Sequence, residues 1–253
     1  MMNAPFATSL LGWKRLEKTG HLVPNNADSD SNASKLLARH VLETLGVESD
    51  VVLPDTPDSL GPALEHAVCD HLRTALPHLS PERAWHVDHK KTVADFAQYE
   101  HLDRVAEAVR KNATLRVDLG RDYLIKPDVT VGVTRPAAEA APRPLLHAAV
   151  SCKWTIRSDR VQNVRHEFLQ MIRHRRGRLP HLVVVTAEPM PSRIASIARG
   201  TGEADAIYHI AFDALKAAVS AVGSRQQKDD LSEIIEQGRL LPYGTLLPTL
   251  SGW

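Results

Sequence analysis

Residues 145–160 read LLHAAVSCKWTIRSDR. From Leu145 to Trp154 the run is mostly apolar, which marks a central strand covered on both faces. Ser151 and Lys153 lie two apart near its end. Alternate residues of a strand share a face, so these two point together and Cys152 points the other way. Upstream, YLIKPDVTVGV (123–133) is rich in β-branched residues and reads as a second strand, with Asp128 after a proline. A carboxylate and an ammonium on adjacent strands meet at one end of a sheet. That arrangement suits phosphodiester hydrolysis, the acid binding Mg²⁺ and the lysine orienting or activating the attacking water.

Outward from this pair, Ser158 to Arg173 reads as a helix with Ser158 or Asp159 as N-cap. It carries Glu167, fourteen residues after Lys153 and flanked at helical spacing by Val164 and Met171. Glu65 is placed similarly, beside Val68 and Leu72 on a helix from about Leu60 to Leu76. Carboxylates at the border of a core are rarely left unpaired, and a shared divalent cation supplies a reason for both. Taken singly, each feature has an ordinary explanation. A Pro-Asp often only opens a strand, Ser-x-Lys is commonly structural, and a helix acid usually pairs with an arginine. Order and spacing together point to a metal nuclease.

The rest of the chain alternates in the manner of an α/β protein. A polar loop, Pro24 to Ser34, precedes a helix from about Ser34 to Leu45, and a second loop spans Leu53 to Ser59. Residues from about Val93 to Asn112 read as a helix, and Thr134 to Pro144 as a Pro/Ala-rich connection. Strands follow at His181–Ala187 and Ala206–Ile210, and helices at Ser192–Arg199 and Phe212–Val222. After Gly238 there is no clear periodicity. The reading is one domain over 1–253, with a core at about 60–222, an N-terminal part (1–59) of helices and a polar loop, and a tail at 223–253.

Composition excludes some classes. With 43% hydrophobic and 24% charged residues the chain is globular, and its net charge of +1 means that any basic surface is local. The two cysteines form no CxxC pair and read as reduced thiols. The N-terminus lacks the features of a signal segment, and no stretch reaches the roughly 20 apolar residues of a membrane span, so a cytoplasmic protein is expected. Thirteen histidines offer no HxxxH or HExxH metal site.

Seven arginines fall between 157 and 178 (157, 160, 165, 173, 175, 176 and 178). A solvated helix face is the ordinary explanation. Yet Arg157-Ser158-Asp159-Arg160 directly follows the Lys153 strand. Arginine reads guanine O6 and N7 bidentately and a carboxylate accepts from cytosine N4, so the cluster suits a G·C-rich step beside a cleaved phosphate.

At this point the chain resembles the NgoMIV-type restriction endonucleases, a CCGG-recognising group with the PD-(D/E)XK nuclease fold. The stretches that carry the resemblance are SCKWTIRSDR (151–160), GRLPHLVVVTAEP (177–189), PSRIASIA (191–198) and GTGEADAIYH (200–209), with weaker likeness in YLIKPDVTV, GPALE and NADSDSN. The resemblance implies a mixed central sheet flanked by helices and a Mg²⁺-dependent cut of double-stranded DNA before the first C of CCGG, leaving four-base 5′ overhangs. With flank reading retained, the target is GCCGGC. Asp128 becomes the principal metal ligand, the Cys152 carbonyl a further ligand and Lys153 the catalytic lysine. Ser151 stands where many relatives have an acid, and Glu167 replaces that carboxylate from the helix. Glu65 matches a further acid near the metal. Arg157, Asp159 and Arg160 match readers of the inner CCGG, Arg193 matches a reader of the flanking pair, and Asp28 assists it.

A palindromic target calls for a two-fold dimer, and the resemblance adds a dimer of dimers and a cognate DNA methyltransferase. The chain departs from the pattern in three places. Only 22 residues separate Asp128 from Ser151, the loop at 53–59 lacks an expected glutamine, and Asp30 replaces a serine. Two other readings stand beside this one. A structure-specific repair or junction nuclease would not need the arginine cluster, and a dead sequence-specific binding protein would not need the complete acid and lysine set.

Overall fold

The computed structural model describes residues 3–16, 20–49, 59–119, 124–134, 143–200 and 202–253, the side chains at 116, 118, 119 and 158–160 excepted. The loop predicted at 53–59 lies almost wholly outside the described residues.

A short helix α1 (Ala7–Leu10) and a two-stranded hairpin, β1 (Trp13–Arg15) with β2 (Leu22–Pro24), precede α2 (Asn32–Thr44) and α3 (Leu60–Leu79). Then come β3 (Ala84–His89), α4 (Glu100–Lys111), α5 (Ala113–Leu119), β4 (Val129–Thr134), β5 (Leu145–Lys153) and α6 (Ser158–His174). The chain ends with β6 (His181–Thr186), α7 (Pro191–Ala198), β7 (Ala206–His209), α8 (Phe212–Val222), α9 (Arg225–Glu236), β8 (Leu240–Pro242) and α10 (Leu246–Gly252).

The main sheet has six strands in the order β3-β4-β5-β6-β7-β8. Its first three strands run antiparallel and the rest parallel. Each parallel step crosses over through helices, as parallel pairing requires. The strand expected to be central is central. Seven of the nine residues of β5 are buried, and β6 beside it is buried throughout. Helix α3 packs on β3 and β5 and against α10, while α2 packs on α8 and α7 on α9. The buried apolar residues form one continuous cluster. This is the mixed, helix-flanked sheet that the resemblance implied.

Several expectations need correction. The strand expected over 123–133 begins only at Val129, because Pro127 has no N–H for the ladder. The helix expected over 93–112 starts at Glu100. Before it, Val93–Asp95 and Ala97–Tyr99 form 3₁₀ turns around an extended Phe96, whose ring is buried against Gly132 of β4. Helix α6 is capped at Arg157, not at Ser158 or Asp159, with no side-chain cap bond. The segment after Gly238 is ordered too. β8 pairs with β7, and α10 follows it. Both cysteines are free, and both are buried. Among the described residues, no helix is long and apolar enough to cross a membrane.

Candidate active site

Asp128 sits one residue before β4, and the antiparallel register (Val129 opposite Val150) puts it across from the end of β5. Three groups of β5 converge on its Oδ2. The Lys153 ammonium donates at 2.9 Å, the Cys152 backbone N–H at 2.7 Å and the Ser151 hydroxyl at 3.4 Å. Asp128 and Lys153 are both mostly shielded, at 17% and 19% side-chain exposure, so water screens their attraction little.

Glu167 reaches the same place from α6. It is half-buried, and that burial raises its carboxyl above the usual glutamate range. The charge of Lys153 opposes the rise and that of Asp128 adds to it. Glu167 therefore lies within electrostatic reach of both partners. Two carboxylates and a lysine gathered in this way want one more cation. Among the described residues no three His, Cys, Asp or Glu side chains form a ready cage. A donor set of one or two carboxylates and a carbonyl, completed by water and phosphate oxygens, is what a hard cation such as Mg²⁺ takes. The residues fit such an ion.

Glu65 faces the site from α3. It is 8% exposed and accepts from His89 Nε2 at 2.8 Å and from Lys90 Nζ at 2.9 Å. Burial works against ionisation, but Lys90 and then His89 outweigh it and hold the carboxyl below its ordinary range. Lys90 is a residue that sequence reasoning missed. Its backbone N–H donates to the Asp128 carbonyl at 3.1 Å, its charge feels Asp128, and its φ is +53°. The sequence's one hint of β3, and with it of His89 and Lys90 beside Asp128, is the weak alternation of AWHVDH (84–89), too slight to announce a strand by itself.

Beside this centre lies an open cleft of about 530 Å³ lined by Asp28, Arg157, Arg165, Ser192, Arg193 and Ser196, among others. Arg193 makes a close ion pair with Asp28 and, with the N–H of Asp30, holds its carboxyl below the ordinary range. Three of the five predicted readers, Asp28, Arg157 and Arg193, thus line one cleft. The side chains of Asp159 and Arg160 lie outside the described residues. The arginines between 157 and 178 are spread along the chain. At about 1.5 Å per residue, α6 carries Arg173 roughly 23 Å from its start. Beyond it, Arg175 and Arg178 bond to carbonyls of Ile172 and Trp253.

A family model described as "NgoMIV restriction enzyme" matches residues 12–140 and 132–248. The chain is 36% identical over 274 residues to "Type II restriction enzyme NgoMIV" of Neisseria gonorrhoeae, covering 96% of this chain and 94% of that relative. The chain belongs to the NgoMIV restriction enzyme family. It is a type II restriction endonuclease with the mixed sheet of that fold. Within the family frame, Asp128, Ser151, Cys152, Lys153 and Glu167 are five of the predicted catalytic and metal-site residues gathered at one sheet end, and Glu65 joins them through Lys90.

Proposed function

We propose that this endonuclease cuts double-stranded DNA at GCCGGC, before the first C of the inner CCGG, by Mg²⁺-dependent hydrolysis. The observation that carries the reading is the convergence of Lys153, Cys152 and Ser151 on Asp128, with Glu167 beside them and the Asp28/Arg157/Arg193 cleft next to it. Asp128, Glu167 and the Cys152 carbonyl are the residues that would hold the metal. When bound, that ion neutralises charge on the scissile phosphate and on the leaving oxygen. Lys153 holds the attacking water in line, and Asp128 fixes the ammonium at hydrogen-bond distance so that this position is set before DNA arrives. Ser151, buried and short, adds no charge to the cluster and leaves room for Glu167.

Arg157 and Arg160 donate to guanine edges of the inner CCGG while Asp159 accepts from cytosine, and Arg193, steadied by Asp28, reads the flanking G·C pair. A palindrome is read by two copies of the chain, and the assembly we propose is a dimer or a dimer of dimers. Sedimentation of the purified protein tests this, and a fully active monomer is the result against it. A cytoplasmic setting with a cognate methyltransferase accompanies the proposal.

The decisive experiment digests plasmid DNA of known sequence with Mg²⁺ and sequences the ends, for wild type and for Lys153→Ala. Cuts confined to GCCGGC and lost in the variant support the reading. Cleavage by Lys153→Ala at the wild-type rate overturns it.

A further inference from the structure

Glu188 is a wholly buried acid to which the chemistry described so far gives no role. It stands just after β6, before Pro189. Its two carboxylate oxygens accept from two different segments, Oε2 from the Ile156 N–H at 2.7 Å and Oε1 from the Met190 N–H at 3.0 Å. Ile156 precedes Arg157. Met190 opens the helix that carries Arg193, whose guanidinium comes within 3.9 Å of Oε2.

The backbone around Glu188 is tied in as well. Its N–H donates to the Thr186 hydroxyl at 3.1 Å, and that hydroxyl donates to the Lys153 carbonyl at 2.7 Å. Its carbonyl accepts from His209 Nε2 at 3.1 Å. The preceding carbonyl, of Ala187, accepts from Asn26 Nδ2 at 2.8 Å, which anchors the loop bearing Asp28. Three segments that carry Asp28, Arg157 and Arg193 thus meet within two residues of one another on the chain, around Ala187 and Glu188.

We propose that Glu188 is a positioning residue for sequence reading, a two-pronged acceptor that fixes the spacing between the Arg157 segment and the Arg193 helix. The inference rests on the reading that Arg157 and Arg193 face base edges. An acid is needed here because two N–H donors approach from different sides and only a carboxylate offers an acceptor to each. Glutamine is nearly the same size but has one oxygen, so its amide group must face one of the two N–H donors and leave it unsatisfied in a buried place. Burial pushes the Glu188 carboxyl up to about 7 against the pull of the Ile156 and Met190 N–H groups, so the fold keeps this acid at a cost to stability.

The test compares single-turnover cleavage of two duplexes, GCCGGC and ACCGGT, by wild type, Glu188→Gln, Glu188→Asp and Arg193→Ala, each confirmed folded by circular dichroism. For Glu188→Gln we expect discrimination between the duplexes to fall about tenfold or more, the lower end of what one bidentate base contact supplies. The rate on GCCGGC at saturating DNA should fall less than about threefold, because the Lys153 ties to Asp128 do not involve Glu188. Glu188→Asp, too short to reach both donors, should behave likewise and serves where the glutamine variant does not fold. Unchanged discrimination in a folded Glu188 variant, with Arg193→Ala impaired, overturns the proposal alone. An equal loss on both duplexes means a merely structural role and overturns it too. Unchanged discrimination in Arg193→Ala overturns the underlying reading of Arg193, and the proposal with it.

Discussion

The Lys90 ammonium stands 2.9 Å from the Glu65 carboxylate while the Lys90 backbone N–H donates to the Asp128 carbonyl. One residue thus joins α3 to the β4–β5 pair, and it does so at a φ of +53°. That conformation costs a side-chain-bearing residue about 1–2 kcal/mol. Lys90→Ala keeps the strain and loses the ammonium, whereas Lys90→Gly loses both. After glycine's larger unfolded-chain entropy is subtracted, Lys90→Gly should be the more stable of the two by about 0.5–1 kcal/mol in urea unfolding. Both should cleave about tenfold or more slowly than wild type, since small displacements at a reacting centre are costly. Equal stability of the two variants would show that the backbone is not strained at this position.

Glu167 carries the opposite balance. Burial raises its carboxyl, Lys153 opposes the rise, and Asp128 adds to it. A charge held in such a place costs the fold, and under the proposed function it serves the reaction. Glu167→Gln should therefore be as stable as wild type or more so at pH 8 without metal, because a neutral amide escapes the penalty. It should cleave plasmid DNA about a hundredfold more slowly or worse. Destabilisation by more than about 1 kcal/mol would instead mark Glu167 as structural.

Gly132 marks a limit on what β4 tolerates. The strand's register breaks between Val131 and Gly132, and a Cβ there would lie 2.9 Å from Cε1 of Phe96 and 3.4 Å from Cβ of His86. Phe96 is wholly buried and cannot swing away. Gly132→Ala should cost about 1–3 kcal/mol in urea unfolding. Gly132 lies four positions from Asp128 along the strand, roughly 13 Å, so cleavage at room temperature should stay within about twofold of wild type. Wild-type stability would show that Phe96 repacks freely.

The parts of this enzyme that were legible in the sequence are those where one strand or helix decides its own fate. The apolar run 145–154, the β-branched run before it and the 3.6-residue spacing of Leu64, Val68 and Leu72 announced β5, β4 and α3. They brought Asp128, Lys153 and Glu65 with them, and the helix read from Ser158 to Arg173 brought Glu167. What escaped depends on partners distant in sequence. β3 alternates only weakly, and β8 has three residues whose pairing with β7 is a tertiary fact. Helix α9 was passed over although Ser224 and Gln227 form a reciprocal cap at its start. Phe96 breaks a helical pattern because Gly132, 36 positions on, makes room for its ring. Glu188 looks like a loop acid before a proline. Its role shows only once Ile156 and Met190 aim their N–H groups at it.

Glu188 also gives the enzyme a pH dependence of known sign. Below about 4.5 the carboxyl is protonated in both folded and unfolded chains and imposes no penalty. Above that value the unfolded chain ionises while the folded protein keeps its proton up to about 7, so unfolding releases a proton and stability falls as pH rises. The full penalty above pH 7 is on the order of 3 kcal/mol. Glutamine does not titrate, so the stability of Glu188→Gln relative to wild type should improve between pH 5 and pH 8. The variant's lost N–H acceptor shifts both values equally and leaves the difference intact. His209, whose ring bonds to the Glu188 carbonyl, is held down to about 4 by burial and stays neutral over that interval. Asp28, held low by its bond with Arg193, stays ionised over the same interval. Urea unfolding of both proteins at the two pH values measures the change directly. A difference that does not move with pH would mean that the Glu188 carboxylate is fully compensated by its two N–H donors and Arg193.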